Sequence, residues 1–199
     1  MNFNEHWNLK DRHAFLSPSQ FHWVNYSPER LEERYFSEQM KKRGIELHDF
    51  ASRAIQLGRR MPKNKDTLNM FVNDALGFGM KSEQPLYYSD NCFGTADAIS
   101  FYKNKLRIHD LKTGEHPASM MQLKVYAALF CLEYAQEPRK ISIELRIYQN
   151  DEIVSERPEP EEISDLMHKI VEFDALIEEY KAKKHDGTWW VIRSADADD

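Results

Sequence analysis

With 199 residues, 41% hydrophobic and 30% charged, the chain is long enough for one domain with a real core and has the balance of a globular protein. Two cysteines, Cys92 and Cys131, exclude a disulfide framework or a four-cysteine metal site supplied by this chain alone and make a reducing compartment the simpler reading. No apolar stretch approaches membrane-spanning length, no signal pattern opens the chain, and the net charge of −6 argues against a general nucleic-acid coat without excluding an enzyme acting on nucleic acid.

Taken in chain order, Leu16-Ser17-Pro18-Ser19-Gln20-Phe21 predicts a helix start, with Ser17 as cap, Pro18 in the first turn and Gln20 closing a capping box. Ser27-Pro28-Glu29 opens a second helix running to about Lys42. A third covers Ile45 to about Leu57 and ends at Gly58 and the basic run Arg59-Arg60. Asp66 to about Phe78 is helical, and Gln84–Ser89 is a strand. Ser119–Tyr134 is apolar nearly all round, hence a buried helix. Ile141–Ile147 alternates cleanly and reads as a strand with one wet face, with Asp151–Glu156 returning beside it. Glu161–Tyr180 is an amphipathic helix. The expected architecture is one α/β domain over residues 1–185, a helical amino-terminal section (1–43) preceding the core (44–185). Residues 186–199 follow, ending in an acidic, disordered tail, Ser194–Asp199. A cytoplasmic location is expected.

The central feature lies between these elements. Thr95–Tyr102 and Leu106–Lys112 flank the turn signal Lys103-Asn104, which predicts a hairpin. Its register opposes Phe101 with Leu106, Ile99 with Ile108, and Asp97 with Asp110. Asp97, Asp110 and Lys112 then share one otherwise apolar face. Opposed carboxylates about 5 Å apart repel, and partial burial sharpens the conflict. A divalent metal between Asp97 and Asp110 resolves it better than Lys112, which lies a full pleat beyond. The plain alternative is an Asp110–Lys112 ion pair with Asp97 exposed.

Other residues are candidates to join this site. Gln122 and Tyr126 project from one face of the apolar helix, a short connection after Lys112. As a buried amide and phenol they can position a phosphate or Lys112; equally, they can be a helix edge touching solvent. His48 shares a stripe with Ala51 and Ile55 and points inward, more often the mark of a core histidine than of a ligand, although imidazole is a common metal ligand. His109 falls on the opposite strand face from Asp110 and is excluded. Arg53, Arg59, Arg60, Lys63 and Lys65 can bind phosphates near His48, though such a run is more often a solvated helix end. Trp189-Trp190 can stack on bases, but aromatics there more often pin the chain end to the core.

Gly94-x-x-Asp97, Asp110-Leu-Lys112-Thr113-Gly114 and Gln122-Leu-x-x-Tyr126, in that order, resemble the RecB-like branch of the PD-(D/E)xK nucleases. Gly44-x-x-x-His48 is similar to that branch's histidine motif, and Leu16-Ser17-x-Ser19 with Trp23 to the opening of phage-associated members. The resemblance covers about residues 14–150. It implies a restriction-endonuclease-like α/β core, a central mixed sheet flanked by helices, and a Mg²⁺- or Mn²⁺-dependent deoxyribonuclease. His48, Asp97, Asp110 and the Leu111 backbone carbonyl match the family's metal ligands, and Lys112 matches the residue that orients or activates water. Gln122 and Tyr126 match residues that support the site or touch the DNA backbone; Arg53, Arg59 and Arg60 join them as expected substrate contacts. Some relatives hold a cysteine-bound iron–sulfur cluster; none is expected here, because the cysteines are lacking. The expected role is an exonuclease in phage or bacterial DNA recombination, replication or repair, with DNA and a possible recombination or replication protein as partners. The alternatives are a structure-specific endonuclease or a non-catalytic DNA-binding or assembly module, against which the intact ligand set and Lys112 speak.

Overall fold

The computed structural model describes Trp7 and residues 14–114 and 117–185; Trp189-Trp190 and the acidic tail lie outside the described residues. The chain divides into two compact units, Met1–Glu46 and Leu47–Asp199.

In the first unit, Pro18–Asn25 forms a 3₁₀ helix rather than the expected capped α-helix. The Ser17 hydroxyl bonds the Ser19 hydroxyl at 2.9 Å instead of capping a backbone N–H. Gln20 is non-helical (φ −114°, ψ 43°). The eight-residue segment, closed off by Ser27-Pro28, is too short to repay α-helix nucleation. Helix α1 then runs unbroken over Pro28–Gln56, where two helices were expected. Gly44 lies inside it. A mid-helix glycine costs only about 1 kcal/mol against alanine, and the good helix formers around it (Met40, Lys41, Lys42, Glu46, Leu47) outweigh that. The end is where the sequence placed it. Gly58 takes φ +66°, and two bonds, Gly58 N–H to Ile55 O (3.0 Å) and Arg59 N–H to Ala54 O (2.8 Å), close the last turn.

The second unit carries a five-stranded mixed sheet in the order β1-β2-β3-β4-β5. Its elements are α2 (Thr67–Gly77), β1 (Lys81–Ser89), β2 (Cys92–Tyr102), β3 (Lys105–Leu111), α3 (Met121–Glu133), β4 (Ser142–Gln149), β5 (Glu152–Glu156) and α4 (Pro160–His185). Asp66 caps α2 by accepting from Leu68 N (3.1 Å) and Asn69 N (3.2 Å). Strands β1–β2, β2–β3 and β4–β5 pair antiparallel, while β3 and β4 are parallel and joined through α3. Both Lys103-Asn104 (φ 47° and 57°) and Asn150-Asp151 (φ 52° and 59°) make two-residue turns with left-handed backbone, matching the twist of the hairpins they close.

Two apolar layers cover the sheet. On one side Leu86, Ile99, Leu106, Ile108 and Leu145 pack with Leu123, Ala127 and Phe130 of α3 and Ile163 of α4. On the other, Ala98, Leu111 and Tyr148 pack with Ala51 and Ile55 of α1 and Phe71, Val72 and Ala75 of α2. The expectation of a wet face on β4 is overturned: Glu144 and Tyr148 are buried there along with Ile143, Leu145 and Ile147. The strand sits between β3 and β5, and its polar side chains are neutralised beneath α2. Glu144 pairs with Lys105 and Arg146, both at 2.8 Å, and Arg146 reaches Asp74 at 3.0 Å. The Tyr148 hydroxyl donates to Asp74 (2.7 Å) and sits 3.1 Å from His109 Nδ1. Burial, aided by the charge of Arg146, pushes the His109 imidazole down to about 3, so it is neutral. Among the described residues no helix is long and apolar enough to cross a membrane.

Replacing Tyr148 by phenylalanine keeps the ring in the core but strands His109 Nδ1 and one Asp74 contact. We expect a loss of about 1–3 kcal/mol in stability, the cost of leaving buried polar atoms unpaired, read as a lower urea midpoint at unchanged m-value.

Candidate metal centre

The site forms where β2 and β3 part. Their ladder follows the expected register, with Ile99 opposite Ile108 and Phe101 opposite Leu106, and its last pair is Ala98 with His109. One residue further on, Asp97 does not complete a backbone pair with Asp110. Its carboxylate turns into the opening and accepts the Leu111 N–H through Oδ2 at 2.8 Å. His48, on α1, places Nδ1 3.4 Å from the same oxygen. His48 and Asp97 are each half-buried.

Asp110 is 3% exposed. Lys112, just past the end of β3, holds Nζ 3.2 Å from Asp110 Oδ1 in a hydrogen bond and 3.0 Å from Oδ2. The second approach is ion-pair contact only; Oδ2 accepts no hydrogen bond of proper geometry. Lys112 is anchored from α3, where Gln122 Oε1 accepts from Nζ at 2.9 Å and Gln122 Nε2 in turn reaches the Tyr126 hydroxyl at 3.4 Å. The helical spacing thus brings Gln122 to Lys112 and Tyr126 to Gln122. The amide is not buried, however: Gln122 is exposed and Tyr126 half-buried. The ring of Tyr126 explains Gly94, since a Cβ there would lie 2.9 Å from Tyr126 Cε1.

Glu83, on β1, was not singled out from the sequence. The pairs Ser82–Ala98 and Gln84–Ala96 bracket it opposite Asp97. The ligand atoms of His48, Glu83 and Asp97 lie within 4.8 Å of one another. Its signal was positional only. Lys81-Ser-Glu-Gln lacks apolar alternation, so the strand reads as starting at Gln84, whereas it starts three residues earlier.

The remaining candidates stand apart. Arg53 is exposed, five residues after His48 and so roughly 140° round a helix of 3.6 residues per turn. Arg59 and Arg60 are exposed beyond the end of α1. None of the three joins the cluster of His48, Glu83 and Asp97. His109 lies on the other sheet face against Phe78 and Tyr148, as its strand parity requires.

The electrostatics follow from crowding. Burial, then the nearby Asp97 charge, raises the Asp110 carboxyl to about 6, with Lys112 opposing. Hydrogen bonding to Asp97 holds the His48 imidazole above its usual value, against its burial. Burial and then Asp97 also raise Glu83. Carboxylates from three strands, one of them with a buried oxygen short of a donor, and an imidazole form an oxygen-rich set suited to a hard divalent cation such as Mg²⁺ or Mn²⁺.

Because folded Asp110 keeps its proton up to about pH 6, against 3.8 for an ordinary aspartate, the folded chain binds more protons than the unfolded chain between those values. Its contribution to stability therefore falls as pH rises through that window and stays unfavourable above it. Asp110→Asn should raise the stability of metal-free protein at pH 8 by about 1–3 kcal/mol, a net figure in which the Lys112 pair is already counted. Near pH 4 the gain should vanish. Thermal unfolding in chelator at both pH values measures this, and an equal gain at both would contradict the assignment.

Compared with known proteins, the chain matches no family model, and no curated protein is significantly similar to it.

Proposed function

We propose that this chain is a metal-dependent deoxyribonuclease with a PD-(D/E)xK core of the RecB-like kind. The observation that carries the reading is the meeting of Asp97, Asp110, Lys112 and His48 at the point where β2 and β3 separate, with a buried Asp110 oxygen left without a hydrogen-bond donor. His48, Asp97, Asp110 and the Leu111 carbonyl would hold the cation, Mg²⁺ or Mn²⁺, without an iron–sulfur cluster.

A bound divalent cation supplies positive charge against a phosphoryl oxygen and lowers the pKa of water beside it. The protein groups do the rest. Asp97 is fixed by the Leu111 N–H, so its free oxygen keeps one direction. Lys112 bridges Asp110 and Gln122, which holds its ammonium at the edge of the carboxylate cluster rather than in open solvent. There it adds charge where phosphoryl oxygens become more negative in hydrolysis, and it orients water against Asp110. Gln122 is a positioning residue acting through Lys112. Tyr126 supports Gln122 from one turn further along α3.

DNA as substrate, exonuclease action and a role in phage or bacterial recombination, replication or repair rest on the order of the four motifs. A cytoplasmic location is part of the same reading, supported by two unbridged cysteines.

Purified protein with Mn²⁺ or Mg²⁺ should degrade end-labelled linear DNA and leave closed circular single- and double-stranded DNA intact. Asp110→Ala and Lys112→Ala should each lower the rate by at least roughly 10²-fold, the usual loss when a transition-state charge contact is removed. Full activity in both variants refutes the site, and cutting of circles moves the reading to an endonuclease.

A further inference from the structure

Helix α4 carries an apolar seam at Ile163, Leu166, Ile170, Phe173, Ile177 and Tyr180, with steps of three and four residues in alternation. That spacing keeps all six on one side of the helix. The seam begins in the core. Ile163 is fully buried, and Leu166 and Ile170 pack against the layer that α3 and the sheet provide. It then runs on past that cover: Phe173 is 50% exposed, Ile177 37% and Tyr180 52%. Lys169 and Lys183 lie over the Phe173 and Tyr180 rings, at 5.4 and 5.9 Å, and still leave them half exposed. On the neighbouring flank Asp174 accepts from Ser89 (2.5 Å) and Asn91 (2.8 Å), and Lys181 donates to Asn91 (2.6 Å). This half of α4 is therefore pinned to the β1–β2 turn, and its bare seam is held in place rather than frayed.

We propose that the partner covering this half-seam is a segment of the same chain, Trp189-Trp190-Val191-Ile192, which lies outside the described residues. Chain length, composition and tethering all select it. Helix α4 ends at His185. At 1.5 Å per residue, Tyr180 lies about 7.5 Å and Phe173 about 18 Å back along the helix. An extended chain advances about 3.4 Å per residue, so Asp186 to Ile192 span up to about 24 Å, enough to reverse and still reach Phe173. Gly187 is the residue type that reverses a chain after a helix.

The segment also fits in length and chemistry. Four consecutive apolar residues cover about 10 Å when extended, which matches the stretch from Tyr180 to Phe173. Left in water they would form a bare apolar patch of their own, so docking removes two such surfaces at once. The short tether holds the segment beside the seam at a millimolar-scale effective concentration. A second copy of α4 fits less well, because the bare part of the seam falls short of the three to four heptads, roughly, that a coiled coil needs. Docking extends the core along α4 and stiffens the grip on the β1–β2 turn, whether or not the metal centre hydrolyses DNA.

The test is fluorine NMR of the full chain labelled with 5-fluorotryptophan, which gives one signal for each of its 4 tryptophans. Trp189→Phe and Trp190→Phe assign the two signals of interest; those of Trp7 and Trp23 report on the rest of the fold. In the native chain at least one of Trp189 and Trp190 should be displaced from its position in urea-unfolded chain and protected from a water-soluble paramagnetic quencher. Ile177→Ser should return it to the unfolded position and abolish the protection. Val171→Ser, on another face of α4 and 42% exposed, should change neither. Tyr180→Ser repeats the seam variant at a more exposed position should Ile177→Ser unfold the chain. Unfolded-like, unprotected signals for both tryptophans in wild type overturn the proposal, as does a signal that the seam variants move no more than Val171→Ser does. Protection that appears only where light scattering shows a dimer also overturns it, and gives the half-seam to a second copy.

Discussion

The bond between the Asp97 carboxylate and the Leu111 N–H decides what the end of the sheet looks like. A regular hairpin would have continued to pair backbone with backbone and set two aspartates face to face. Here a side chain takes the place of a carbonyl, satisfying the donor that the parting strands leave open. Leu111 remains tied to the sheet on its other edge, where β3 pairs with β4 as far as Tyr148. The carboxylates of Asp97 and Asp110 are consequently held at the rim, the first by the Leu111 N–H and the second by Lys112. Their mutual repulsion is a property of the fold, and Lys112 offsets it only in part.

The two sheet faces handle polar groups in opposite ways. Beneath α2, Glu144 and Asp74 are matched by Lys105 and Arg146, and Tyr148 and His109 complete the network, so its charges find partners in the same chain. At the rim the acids outnumber their partners. Buried charge that is balanced internally is structural by default, whereas a surplus of one sign in a partly open site asks for something from outside. This contrast separates His109 from His48 more clearly than their burial does.

Much of the centre was legible in residue order alone. The turn at Lys103-Asn104 set the register as far as Ala98 and His109, and alternation put Asp110 beside Lys112. Helical spacing brought Tyr126 to Gln122, and Gln122 reaches Lys112. What could not be read depended on competition between weak local preferences and tertiary packing. Gly44 looks like a boundary between helices, yet its cost is too small to stop α1. Ser17 looks like a cap until Ser19 captures its hydroxyl. The alternation in Ile141–Ile147 implies a wet face, because nothing local reveals that α2 and a set of ion pairs will cover it. Glu83 stayed hidden because its strand begins in polar residues, so period and composition both fell silent where register alone carried the information.

Tyr126 ties together parts of the molecule that are distant in sequence. Its ring fills the space a side chain at Gly94 would need, which lets the start of β2 and helix α3 approach closely there. The same side chain holds Gln122, and through it the ammonium of Lys112. Bulk added to the strand at that glycine would therefore be felt as a displaced lysine. In engineering terms the aromatic plate is a shim, and the alignment of the polar groups around Lys112 is only as good as its seating.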